Sequence, residues 1–165
     1  MNEYKIMSQT VQLPNVCAFM TRHLVDVFDT MLSMPAKLVP NAALPHFDER
    51  VTGSVGFAGE SVTGAVYLHL SAAFANRVAA VMLGLPPEET IGENDVNDVV
   101  GEATNMLTGG LKSWLCDAGS SCAVSTPAII RGAFAVESMP DVARECLVFE
   151  SGDERVIVEI HIKLS

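Results

Sequence analysis

Residues 94–119 read NDVNDVVGEATNMLTGGLKSWLCDAG, and the period of this stretch decides how the rest of the chain must fold. At about 100° per residue, Asp95, Asp98, Glu102, Asn105, Gly109 and Lys112 fall on one narrow arc. Val96, Val99, Val100, Ala103, Met106, Leu107, Leu111, Trp114 and Leu115 fall on the other side. The pattern predicts one long helix, with Asn94 as its N-cap and Gly119 as its stop. Asp95 and Asp98 in the first turns suit the positive end of the helix dipole. The apolar back needs a core, whereas the front is a ridge of carboxylates and an amide. Gly101, Gly109 and Gly110 lie inside the helix, each disfavouring it by about 1 kcal/mol relative to alanine. Gly109 on the polar arc leaves room for a partner, and Gly110 on the buried side predicts close packing on a sheet. No reason for Gly101 is visible.

The core that this helix needs is supplied on both sides of it. Pro14 suits the first turn of an N-terminal helix, since its missing N–H would be unpaired there anyway. Val16, Met20, Leu24, Val27 and Met31 form its apolar stripe, and Pro35 follows its end. Residues 35–50 carry three prolines and predict no regular helix. Val51–Ala58 and Val62–Leu70 flank Gly59-Glu60-Ser61 as a hairpin. Ser71 caps a helix Ala72–Leu83, with Gly84 at its C-terminus. After the long helix, Cys122–Ile130 predicts an edge strand because of Pro127. Glu145–Ser151 and Arg155–Leu164 form a second hairpin. In the last strand Val156, Val158, Ile160, Ile162 and Leu164 alternate with Ile157, Glu159, His161 and Lys163.

The order α-β-β-α-α-β-β-β predicts an α+β fold, a mostly antiparallel sheet with long helices on one face. Residues 1–165 are read as a single domain. The net charge of −10 argues against nucleic-acid phosphates and against anionic membranes as partners. No run approaches the ~18 apolar residues of a membrane span, and MNEYKIMSQTVQLPN lacks a signal-peptide core, so a cytoplasmic protein is expected. Cys17, Cys116, Cys122 and Cys146 form no CxxC pair and are expected as reduced, buried residues. His23, His46, His69 and His161 lack zinc-ligand spacing, so no metal site is expected. His69 and His161 are read as packed or surface residues, and Trp114 as a core anchor.

Two segments, GSVGFAGESVTGAVYLHLS (Gly53–Ser71) and NDVVGEATNMLTGGLKSWL (Asn97–Leu115), resemble the CheX branch of the CheC/CheX/FliY chemotaxis phosphatases. The family signature is an Asp or small polar residue, Glu four positions on, and Asn three further on. Asp98, Glu102 and Asn105 match it. A proline follows in the family about two dozen residues later, and Pro127 stands about one residue short of that spacing. A single signature helix resembles CheX rather than the two-site CheC type.

The resemblance implies hydrolysis of the aspartyl phosphate on a CheY-like response-regulator receiver domain. It implies no cofactor of the chain's own, Mg²⁺ supplied by the receiver, and a homodimer, for which the alternating C-terminal strand offers a sheet edge. Phosphoryl transfer is catalysed mainly by positioning and electrostatics. An amide can accept a hydrogen bond from water and donate one to a phosphoryl oxygen, so Asn105 is the residue expected to place the attacking water. Glu102, one turn earlier, would pair with the receiver's lysine. Asp98, Gly109 and Lys112 complete the expected contact surface. The rival reading is a non-catalytic adaptor of the same fold, which would bind a receiver without shortening its phosphate lifetime.

Overall fold

The computed structural model describes residues 11–137 and 139–165. The segment MNEYKIMSQT, part of the stretch read above for a leader, lies outside them. Three helices and seven strands follow in order. These are α1 (Leu13–Leu32), β1 (Lys37–Leu38), β2 (Arg50–Ala58), β3 (Val62–Ser71), α2 (Ala72–Met82) and α3 (Glu93–Asp117), then β4 (Ala123–Val124), β5 (Ala128–Arg131), β6 (Ala143–Ser151) and β7 (Glu154–Leu164). No described helix is long and apolar enough to cross a membrane.

All the strand pairings are antiparallel. The sheet order is β1-β6-β7-β3-β2-β4, with β5 also on the outer side of β2. Both hairpins form where alternation places them. Val55 faces Val66 across the first and Leu147 faces Val158 across the second. Gly152 at φ +59° makes the tight β6–β7 turn, a left-handed conformation that favours glycine. The ladder between β3 and β7 then joins the hairpins, with Val66 opposite Ile160.

β7 therefore lies inside the sheet, between β6 and β3. The edge pairing expected of this strand is not available, because both of its ladders are filled within the chain. Its even-numbered residues Val156, Val158, Ile160 and Ile162 face the helices, yet Ile157, Glu159 and His161 on the other face are buried as well. Burial on both faces is what an inner strand requires.

The helices supply the second layer. Val16, Met20, Leu24 and Phe28 of α1, Phe74 and Val78 of α2, and Val100, Leu107, Leu111 and Leu115 of α3 join the helix-facing strand residues in one core. Each fully buried leucine among them contributes roughly 1.5–3 kcal/mol of apolar burial. Met31, placed in the stripe of α1 by its period, is exposed, and Phe28 and Leu32 fill the core at that end of the helix instead. Ser71 caps α2 by accepting a hydrogen bond from the Phe74 N–H, and Gly84 follows it at φ +72°. The expected strand Cys122–Ile130 is divided at Ser125–Pro127 into β4 and β5, because proline has no N–H for the ladder.

Candidate functional site

The long helix begins one residue earlier than its expected cap. Gly92 is the N-cap, without a side-chain hydrogen bond, and Asn94 lies inside the first turn. Its other end is as read: the helix stops at Asp117, and Gly119 takes φ +88°.

Three contacts at glycines hold α3, and two of them are too close to admit a Cβ. Gly53 of β2 lies directly beneath it. A Cβ there would meet Thr104 Oγ1 at 1.9 Å and the Val100 carbonyl at 3.2 Å. The Thr104 hydroxyl is itself tied to the Val100 carbonyl at 2.7 Å, so it cannot swing away without losing that bond. The second joint corrects the reading of Gly110, which packs against α1 and not against the sheet. A Cβ at Gly110 would meet His23 Nε2 at 2.1 Å. That nitrogen stands 3.0 Å from the Met106 carbonyl, and since a carbonyl only accepts, Nε2 carries the proton and donates it. The His23 ring stacks on Phe19 at 5.4 Å, and Phe19 stacks on Trp114 at 5.7 Å. Trp114 is thus a half-buried member of the α1–α3 joint. Thirdly, Gly101 lies against Pro127 and Ile129, where a Cβ would come to 3.4 Å of Pro127 Cγ. That is ordinary van der Waals contact, so nothing in the packing requires glycine at 101. The contact places Pro127 beside the start of the ridge.

Arg131 adds a fourth attachment. From the end of β5 its Nε donates to Asn97 Oδ1 at 2.9 Å and lies 3.6 Å from a Glu93 carboxylate oxygen. Neither His23 nor Arg131 was singled out as a site residue. A glycine inside a helix facing an apolar neighbour signals a close approach, but it does not say which residue approaches.

On the helix so held, Asp98, Glu102 and Lys112 are exposed, and Asn105 and Gly109 are half-buried. These five residues share one face, spanning about 21 Å along the axis. Glu102 and Asn105 are separated by about 4.5 Å along the axis and about 60° around it. Neither side chain makes a hydrogen bond or ion pair with a described residue, so both are free to meet a partner. A Cβ on Gly109 would meet nothing within 4 Å, so the backbone there is open to approach. Among the described residues, no group of three or more His, Cys, Asp or Glu side chains is arranged to hold a metal ion.

The opposite face of the sheet holds a second polar cluster. Glu159 of β7 is the hub, accepting from His69 Nε2 at 3.0 Å, His161 Nε2 at 2.6 Å and Arg144 Nε at 2.9 Å. His69 Nδ1 meets the Thr52 hydroxyl at 2.8 Å. Burial would raise the Glu159 carboxyl, but the three donors outweigh it and hold the group at about 2. His69 and His161 are thus buried and hydrogen-bonded, His69 through both ring nitrogens. The cysteines are free, but none is fully buried and Cys116 is exposed. Burial, with Glu145 nearby, pushes the Cys17 thiol up to about 11, and burial also raises Cys122 and Cys146.

With this geometry in view, the similarities can be placed. The family model described as chemotaxis phosphatase CheX matches residues 51–150, which include all of β3, α2 and α3 and β2 from its second residue on. A crystal structure of the chemotaxis protein CheX from Vibrio vulnificus superposes with a TM-score of 0.75 at 26% identity, covering 90% of this chain and 96% of that one. A CheC-like superfamily protein from Shewanella sp. PV-4 gives 0.76 at 27% identity, covering 93% and 99%. The CheX–CheY–BeF3–Mg²⁺ complex from Borrelia burgdorferi gives 0.69 at 20% identity over 90% of this chain and 97% of that one, a likeness of fold. No curated protein sequence matches.

Proposed function

This chain belongs to the chemotaxis phosphatase CheX family, and from that premise we propose that it hydrolyses the aspartyl phosphate of a CheY-like receiver domain in the cytoplasm. The observation that carries the proposal is the pair Glu102 and Asn105, free of internal partners, on the exposed face of a helix anchored at four places. A rigid helix presents its side chains with less scatter than a loop does, and in-line attack on phosphorus depends on such positioning.

In this reading α3 lays its ridge across the receiver's phosphorylated pocket. The Glu102 carboxylate pairs with a lysine of the receiver and sets the register. Asn105 then accepts a hydrogen bond from a water and donates through its amide to a phosphoryl oxygen, holding the water in line with the bond that breaks. Gly109 admits the partner's backbone, and Asp98 and Lys112 extend the contact. A Mg²⁺ ion, which supplies charge neutralisation at the phosphoryl group, is the receiver's own. A CheX–CheY complex is known for the Borrelia protein, which supports a receiver of that class as the partner here.

The test is phosphate loss from a phosphorylated receiver with and without the protein. Asn105→Ala is expected to lower the catalysed rate by about 100-fold, the scale of losing one positioning contact, while leaving receiver affinity nearly intact. Glu102→Ala is expected to weaken binding as well. Binding that leaves the phosphate lifetime unchanged would replace this reading with that of an adaptor. The homodimer implied by the resemblance cannot use a β7–β7 ladder, since β7 is interior. A light-scattering mass equal to one chain would exclude a dimer under the conditions used.

A further inference from the structure

The outer face of the sheet carries a feature that the phosphatase reading does not use. The chain from Gly132 to Glu137 crosses this face and lays Phe134 over it. The Phe134 ring stands 5.8 Å from His69, and the Arg50 guanidinium lies over it at 4.6 Å from the ring centre. Between this crossing segment and Leu44–Pro45 lies a cleft of about 160 Å³. Its walls include Arg50, Arg144 and Glu159 on the polar side and Phe134, Val136 and Ile157 on the apolar side.

Charge in this cleft is unbalanced. Both oxygens of Glu159 are taken, one by His69 and the other by His161 and Arg144. Arg50 has no carboxylate partner among the described residues. Its Nη2 donates to the Phe134 carbonyl, while its Nε is buried without any hydrogen-bond partner. Two guanidiniums, which stay charged at any working pH, therefore face a single carboxylate. This local positive excess stands in a chain whose net charge is −10. A half-buried cation without a counter-charge is unfavourable, and an anion that entered would relieve it.

We propose that this cleft binds a small organic carboxylate with a flat or branched apolar body. A cavity of ~150 Å³ takes a molecule the size of benzene, so the volume suits one ring and a carboxyl group. The carboxylate meets the guanidinium donors of Arg50 and Arg144, and the body lies against Phe134 and Ile157. A guanidinium also takes phosphate, but a bare dianion would fill only the polar half of the cleft. The carboxylate with an apolar body satisfies both walls.

The probe is sodium benzoate, titrated into the full chain at constant ionic strength and followed by two-dimensional ¹H–¹⁵N NMR. The expected result is saturable shifts at the Phe134 amide and the arginine Nε–H signals, with one dissociation constant. Arg50→Met is expected to weaken binding at least tenfold. Phe134→Ala, which leaves both cations in place, is expected to weaken it severalfold and covers the case in which the Arg50 variant fails to fold. Shifts that never saturate, that lie elsewhere, or that survive both substitutions would overturn the proposal. An equal response to inorganic phosphate would overturn the assignment of ligand class.

Discussion

Two adjacent glycines in α3 should respond in opposite directions to the same substitution. Alanine gains about 1 kcal/mol over glycine inside a helix. At Gly109 that gain is unopposed, because a Cβ would meet nothing within 4 Å. Gly109→Ala is therefore expected to stabilise the protein by about 1 kcal/mol, roughly 2–4 °C in Tm for a chain of this length. At Gly110 the Cβ would lie 2.1 Å from His23 Nε2 and 2.6 Å from two ring carbons. The ring cannot withdraw without giving up the Met106 carbonyl and disturbing its stack on Phe19. Overpacking of this kind costs about 1–3 kcal/mol and the lost hydrogen bond about 1 more. Set against the propensity gain, Gly110→Ala should destabilise by roughly 1–3 kcal/mol, separating the two variants by about 2–4 kcal/mol. Urea unfolding followed by the fluorescence of Trp114, the single tryptophan, reads the same joint. Equal m-values for both variants would confirm that only stability has changed. A Gly110→Ala protein as stable as Gly109→Ala would refute the notch between α1 and α3. The functional arm runs the other way: Gly109→Ala, the more stable protein, should dephosphorylate the receiver more slowly, because its methyl stands on the docking face.

Further predictions concern the remaining contacts. Gly53→Ala should cost about 1–3 kcal/mol by overpacking against Thr104, and Thr104→Ala should recover part of that loss in a double-mutant cycle; full additivity would argue against the contact. The depressed Glu159 carboxyl contributes stability that is complete above its ordinary value of 4.5 and is lost as pH falls toward about 2. Glu159→Gln should destabilise at neutral pH by roughly 3 kcal/mol, the scale of breaking a buried ion pair, and should show a flatter stability profile between pH 4.5 and 2. An unchanged acid profile would assign that slope to other carboxylates. In thiol labelling of the folded protein, exposed Cys116 should react first and Cys17, half-buried and raised to about 11, last; the reverse order would contradict the packing of α1.

Much of this architecture was legible in the sequence because period carries orientation. The alternation in residues 51–70 and 145–164 named the strands and their faces, and the 3.6 period named the ridge of α3. Period does not report who the neighbour is. His69 and Glu159 lie 90 residues apart and meet only through the β3–β7 register. Nor can alternation separate an inner strand from an edge strand when the second face carries Glu159 and His161, whose polarity suggests solvent until their partners are known. The notch at Gly110 is of the same kind: the glycine was visible, but His23 lies 83 residues before Met106. The N-cap was misplaced because Asn94 is the stronger capping residue by type, while Gly92 has the extended backbone the position needs.

The interior place of β7 also bears on how the chain folds. Each hairpin is local and can form early, but the ladder that unites them pairs Val62 with Leu164, across most of the sequence. Until residues 154–164 have been synthesised, β3 offers one open edge and β6 has β1 alone as a neighbour. A nascent chain at that stage exposes unpaired strand edges and the apolar floor beneath the helices, the surfaces on which aggregation begins. β7 is thus the keystone of the sheet, and the vulnerable interval in the protein's life is the one before it is placed.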